Sequence, residues 1–412
     1  MRKATVLRDL SYWSVFLACA LLPLKTTLSN SGLILLFSLS VFSLLKDGVE
    51  LELLKSPKFY LNTTLLLFAP IAIGCLYAID VDKALGEMGK NVFYFLLPIV
   101  TLRKDIEWKK MLSIGIYGLA IGCLVSMIYL HSINLYNFQS SGLPLTKLFS
   151  YKFTGLSFIE PIKDMHNVYI GVYYLILLVA IWQQYITLKD WMKFTLSTMI
   201  IITILFLNSR SVFLVSVLLL VVYGFSVLNY KKSILGLVLI GVILILTHPF
   251  YKKTYVYNKL VNGTYWELTE NVDTNNTDTK QTADSRMSRW IVALDFIKER
   301  PMFVYGTDSE KDMLLSGYKN REMKISESRR YDSHNQYLSY ALQYGIFGLG
   351  ILMLFLISNL IRGLRHNDKI LVSFILIIAV VSLTENFLNR NMGVNFVVLF
   401  STLLFNLDQR EC

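Results

Sequence analysis

Cysteine is sparse in this chain: four occur in 412 residues, Cys19, Cys75, Cys123 and Cys412, and no two form a C-x-x-C pair. Three of the four lie inside apolar runs, so neither a zinc site nor a disulfide framework is indicated. No repeat of fixed period appears. Neither a P-loop nor a dinucleotide fingerprint is present, so no nucleotide is expected as a cofactor. The net charge of +11 is not gathered into one stripe, which speaks against a nucleic-acid partner. Its lysines and arginines recur in short clusters between apolar runs, and that is a topology signal.

What is abundant is apolar sequence. Hydrophobic residues make up 54% of the chain and mean hydropathy is +0.50, above the roughly 45–50% apolar content of soluble domains. The class is therefore integral membrane and all-α, because unpaired strand edges cannot be left in lipid. Reading spans by length gives about twelve crossings, near 11–27, 30–45, 60–79, 90–102, 110–130, 167–186, 191–208, 211–229, 233–250, 336–361, 369–386 and 392–407. The first run follows Arg2, Lys3 and Arg8 and imitates a signal peptide, with Ala18-Cys19-Ala20 as a small-residue stretch. A second run begins almost at once, so the pair reads better as a helical hairpin.

Alternate loops hold Arg2, Lys3 and Arg8; Lys46, Lys55 and Lys58; Arg103, Lys104, Lys109 and Lys110; Lys189 and Lys193; Lys231 and Lys232; Arg362, Arg365 and Lys369; and Arg410. That side is expected to be cytoplasmic, with both termini on it. The opposite loops carry only scattered cations, Lys25, Lys83, Arg210 and Arg390 among them. Residues 131–166 form one longer outer segment, closing on His166. The major outer segment is 251–335, dividing the chain into crossings one to nine (1–250), the loop, and crossings ten to twelve (336–412). Within it, Asn271 to Thr282 is polar, turn-rich and expected to be mobile.

From Arg286 the pattern turns helical. Met287, Trp290, Ile291, Leu294 and Ile297 share a face, Asp284 or Ser285 can cap the start, and Pro301 stops it. Arg286 and Arg289 fall in the first turn, where free N–H groups favour an anion. They suit lipid head-group phosphates or a bound substrate equally. Ser333-His334-Asn335-Gln336 fits a capping box before an apolar run, placing His334 in the first turn of the tenth crossing. There the helix end and a nearby Arg286 favour a neutral imidazole able to accept a proton from a substrate hydroxyl; a head-group contact is the alternative. Arg210, in the tight turn Asn208-Ser209-Arg210-Ser211, either snorkels or meets an anion. His166 and the pair Glu385 and Arg390 lie near outer helix ends, where capping or ion pairing explains them.

These residues resemble a family. His334-Asn335, nine residues, then Gly345-x-x-Gly348 is similar to the signature of the bacterial O-antigen ligase and polymerase superfamily. Ser285-Arg286, Arg300-Pro301, Gly306, Ser209-Arg210 and the position of the large loop agree with it; Tyr305 stands where members often have glycine. The resemblance implies a metal-independent glycosyltransferase of the bacterial inner membrane, with its active site on the periplasmic face. Its donor would be a glycan on undecaprenyl diphosphate and its acceptor a lipid A core sugar, in lipopolysaccharide biosynthesis. Arg210, Arg286 and Arg289 would hold the diphosphate, His334 would act as base with Arg286 also catalytic, and Asn335, His166, Glu385 and Arg390 would support them. A polysaccharide polymerase uses the same chemistry. A flippase or transporter of the glycan lipid is the reading from another class, but would call for mid-membrane ionisable residues and pseudo-symmetric repeats.

Overall fold

In a computed structural model, residues 2–227, 252, 254–270, 284–302 and 305–407 are described. Every regular element among them is helical. The expected ninth crossing at 233–250, the whole polar stretch Asn271 to Thr282, and Lys231, Lys232 and Arg410 lie outside the described residues.

The principal helices are α1 (Arg2–Leu21), α2 (Thr26–Asp47), α3 (Leu65–Cys75), α4 (Val81–Lys90), α5 (Trp108–Ser140), α6 (Asn167–Trp182), α7 (Asp190–Leu207) and α8 (Arg210–Val227). They continue as α9 (Gly263–Glu267), α10 (Arg286–Glu299), α11 (Glu310–Asn320), α12 (Lys324–Arg329), α13 (Gln336–Arg365), α14 (Lys369–Val381) and α15 (Asn391–Phe405). Among the described residues four helices, α2, α5, α7 and α13, are long and apolar enough to cross a membrane, and six apolar segments are shorter. Twelve crossings are thus not displayed. The one expected at 90–102 begins at Phe93 and passes at Leu97 into a 3-10 helix ending at Leu102; ten residues reach roughly 18 Å, short of the hydrocarbon thickness.

Close helix contacts rest on small residues. A Cβ on Gly32 of α2 would stand 2.7 Å from the Ala18 backbone nitrogen of α1, and Gly118 and Gly122 of α5 face the carbonyls of Phe16 and Ala20. Backbones approach that closely only where no side chain intervenes, the usual device of helix packing in lipid. At the centre stand α6 and α15, apolar and buried nearly all round, as a helix with no solvated face must be. The start of α6 packs against the entry to α15: Tyr169 stacks on Phe387, just before α15, with ring centroids 5.1 Å apart, and the Tyr173 hydroxyl donates to the Met392 carbonyl at 2.9 Å.

The loop helices build a second, small core from Val292, Ala293, Tyr305, Leu314, Tyr318, Met323 and Leu342. Leu342 belongs to α13, so the loop is seated on that helix. At Gly345 α13 breaks, with φ 70° and ψ −166°, a conformation that glycine alone adopts cheaply. The break brings Ile346 N–H to the Pro301 carbonyl at 2.9 Å and lets Met302 lie against the Gly345 backbone. Beyond it, Ile346 to Arg365 is about 30 Å of helix, a full span on its own. Gly306 makes the neighbouring turn with φ 84°; Tyr305, the departure from the family pattern, is a buried member of the small core and leaves the turn intact.

Two expectations are corrected here. The most buried positions of α10 are Ser288, Arg289, Val292 and Ala293, whereas Leu294 of the expected apolar face is 41% exposed. The helix is clasped by the rest of the loop, and Arg289 is on its buried side. The cap of α13 is Asn335, whose Oδ1 accepts from the N–H groups of Tyr337 and Leu338 at 3.0 and 3.2 Å. The Ser333 hydroxyl is bonded elsewhere, so the capping box does not form and His334 precedes the helix.

Candidate functional site

Arg210 opens α8 immediately after Asn208, the left-handed residue (φ 46°) that closes α7. This two-residue corner points its guanidinium at α9. Arg210 donates to the Gly263 carbonyl at 3.0 Å and lies 3.5 Å from Glu267. The same carboxylate accepts the backbone N–H of Arg286 at 2.8 Å, at the first turn of α10, where such donors lack intrahelical partners. The Arg289 guanidinium is 3.8 Å from it. Three arginines from two separate segments therefore surround Glu267, which sequence reasoning missed: 57 residues separate it from Arg210 and 19 from Arg286, and no local pattern marks it.

Other donors of this cluster are only partly engaged. Arg286 also donates to the Thr384 carbonyl at 2.8 Å and pairs with Glu385 at 3.6 Å; Arg289 stacks over Tyr331 with its guanidinium carbon 5.0 Å from the ring centroid. Yet Nε of Arg286, and Nε and Nη1 of Arg289, are buried without a hydrogen-bond acceptor among the described residues. Buried guanidinium donors rarely stay unsatisfied. Lys259, also missed, adds positive potential: burial pushes its ammonium down to about 8, with Arg210 contributing.

The histidine is presented differently. His334 is left-handed, φ 48°, and folds back so that its N–H donates to Asp332 Oδ1 at 3.0 Å while its Nδ1 lies against the same oxygen. Burial would raise the Asp332 carboxyl, but hydrogen bonding from His334, with the charge of Arg390, holds it well below the usual carboxylate range. A carboxylate on Nδ1 fixes the ring and leaves Nε2 for a substrate. Beneath it Glu310, 5% exposed, accepts from the Ser333 N–H (3.0 Å) and hydroxyl (2.6 Å), the Ser339 hydroxyl (2.6 Å) and the Asn386 amide (2.9 and 3.0 Å). Burial first, then the Asp332 charge, push the Glu310 carboxyl up. This unforeseen carboxylate anchors the histidine turn.

The two halves meet at His166 and the segment between α14 and α15. His166, the N-cap of α6, has a buried Nδ1 without an acceptor or donor partner among the described residues. Burial lowers its pKa, Glu385 opposes, and Arg390, His334 and Arg286 lower it further. Glu385 pairs with Arg286, as described, while Arg390 precedes α15 and forms no ion pair among the described residues. Asn335 has a structural role as cap. Trp290 ties α10 to the histidine turn by donating to the Ser333 carbonyl at 2.9 Å. Among the described residues no group of three or more His, Cys, Asp or Glu is arranged to hold a metal ion.

Comparison with known proteins bears on the family. The chain is 27% identical over 202 residues to a curated protein of Haemophilus influenzae described only as uncharacterized, covering 45% of this chain and 49% of that one. The match thus spans about half the length of that relative. A family model described as O-Antigen ligase matches residues 194–353, the stretch from α7 through the first part of α13 that contains Arg210, Glu267, Arg286, Arg289 and His334. That match supports the O-antigen ligase superfamily as the family of this apolar, helical membrane chain.

Proposed function

We propose that the protein is an O-antigen ligase of the bacterial inner membrane, transferring a glycan from undecaprenyl diphosphate to a lipid A core sugar at the periplasmic face. The observation that carries this reading is the convergence of Arg210, Arg286 and Arg289 on Glu267, with buried donors left over, beside the Asp332–His334 pair. Glu267 occupies the place of an anion, and a donor diphosphate would displace it. The acceptor hydroxyl gives its proton to Nε2 of His334 as its oxygen bonds to the anomeric carbon. The bond from that carbon to the diphosphate breaks, and its electron pair leaves with the diphosphate, where planar bidentate guanidinium donors stabilise the growing charge. No step requires a metal ion.

A polymerase, whose acceptor is another lipid-linked repeat unit, shares this chemistry and the same family support. Gel analysis of lipopolysaccharide from a deletion strain separates them. A ligase mutant keeps long lipid-linked polymer and a bare core; core bearing a single repeat would establish the polymerase instead. A flippase mutant would leave lipid-linked glycan on the cytoplasmic leaflet, so polymer accumulating outside in the deletion strain excludes that class.

A further inference from the structure

A cavity of about 350 Å³, unused by the chemistry above, opens beside the site, within the roughly 300–1,000 Å³ range of small-molecule pockets. Its lining includes Lys25, Lys90, Lys163 and Arg390 against one carboxylate, Asp164. Lys90 is paired with Glu87 at 2.9 Å; Lys25, Lys163 and Arg390 form no ion pair among the described residues. Two long helices also start on this space. Lys25 is the N-cap of α2 and Arg390 that of α15, and neither caps its helix with its side chain. Asn395 of α15 reaches Asn30 Oδ1 of α2 at 2.5 Å, holding the two starts side by side. Four cations and two uncapped N-termini around one cavity form a strong anion field.

We propose that this cavity is a second anion site, separate from the arginine cluster, and that it takes a phosphorylated sugar of the acceptor glycan. None of Arg210, Arg286 or Arg289 is among its lining residues, so a donor diphosphate held by them leaves it free. Asn389, beside Arg390 in the lining, connects it to the histidine turn: its Oδ1 accepts from Gln336 Nε2 at 2.8 Å and its amide donates to the Ser339 hydroxyl at 3.0 Å. A phosphate seated at Arg390 would thus place a neighbouring sugar hydroxyl toward His334. The hydroxyl of Thr27 suits one of the sugar's own hydroxyls. Only the identity of the carrier rests on the transferase reading; the phosphate site does not.

The test measures binding of glucose 1-phosphate, with glucose as control, to the full chain purified in detergent. Glucose 1-phosphate should bind and glucose should not. The double variant Lys25→Gln, Lys163→Gln alters two exposed side chains and should weaken binding about tenfold or more, whereas Arg286→Gln should leave it unchanged. Binding unaffected by the double variant, or lost in Arg286→Gln, overturns the proposal. Should the double variant melt early, Lys163→Glu alone gives the same reading. In nanodiscs, phosphatidylglycerol should compete no better than phosphatidylcholine; abolition of sugar-phosphate binding by phosphatidylglycerol would assign the cavity to lipid head groups. A protein that binds the probe but transfers no glycan would sink the transferase reading and spare the cavity.

Discussion

At the scale of single residues, two groups divide the labour and should fail differently. His334→Ala removes the proposed base and should slow transfer about 10²- to 10⁴-fold with the protein still inserted in the membrane; full activity in a purified assay would remove the base from the mechanism. Arg286→Ala should cost more than Arg286→Lys, because a single ammonium cannot reproduce a planar two-point contact. Glu267→Gln is the discriminating change. It withdraws the competing anion, so the KM for the donor should fall while thermal stability drops, since three guanidinium groups lose their counter-charge. A raised KM would mean that Glu267 helps bind donor. His166 gives a pH signature. Its pKa is lowered in the fold, so below its ordinary value of 6.5 the unfolded chain binds more protons and stability falls with pH. The melting temperature should therefore decline on acidification below about pH 6.5, and His166→Gln should flatten that decline.

Residue identity was the most legible part of the site, and for a physical reason. Arg210, Arg286 and His334 stand out because charged or titratable side chains beside apolar runs are costly. Glu267 and Glu310 did not, because a carboxylate is ordinary in a polar loop and becomes informative only when distant segments close on it. Glu310 draws partners from 23 to 76 residues away. Asp332 was visible two residues before His334, but its hold on the ring depends on the left-handed turn, which spacing does not reveal.

At the scale of elements, periodicity located helices better than it assigned their faces. The run after Arg286 is a helix starting at the expected cap, Ser285, which accepts from the Ser288 N–H; the buried face differed because the loop wraps it from more than one side. The broken helix α13 offers a matched test. Gly345→Ala would force a side chain into a positive-φ conformation against the Met302 carbonyl and should cost about 1–3 kcal/mol or more. Gly350→Ala, five residues on and facing open space, should be neutral or gain up to about 1 kcal/mol. Equal melting temperatures for the two variants would show that the break is dispensable.

At the scale of the whole molecule, composition gave the membrane class and all-helical architecture, while the described residues do not confirm the twelve crossings read from hydropathy. Segments such as Phe93–Leu102 are apolar because they are buried among other helices, and apolarity does not distinguish protein from lipid as the neighbour. The proposed reaction predicts activity that survives EDTA. Loss on chelation, restored by magnesium, would require a divalent ion in the mechanism.

The carboxylate held among three arginines carries one more consequence. On the proposed reading, a site already filled by its own tethered ion would admit substrate by exchange, one negative group stepping out as another steps in, and the spent carrier would depart by the reverse swap. Because charge is traded and not merely neutralised, donor affinity should respond to ionic strength far less steeply than three open guanidinium groups would demand.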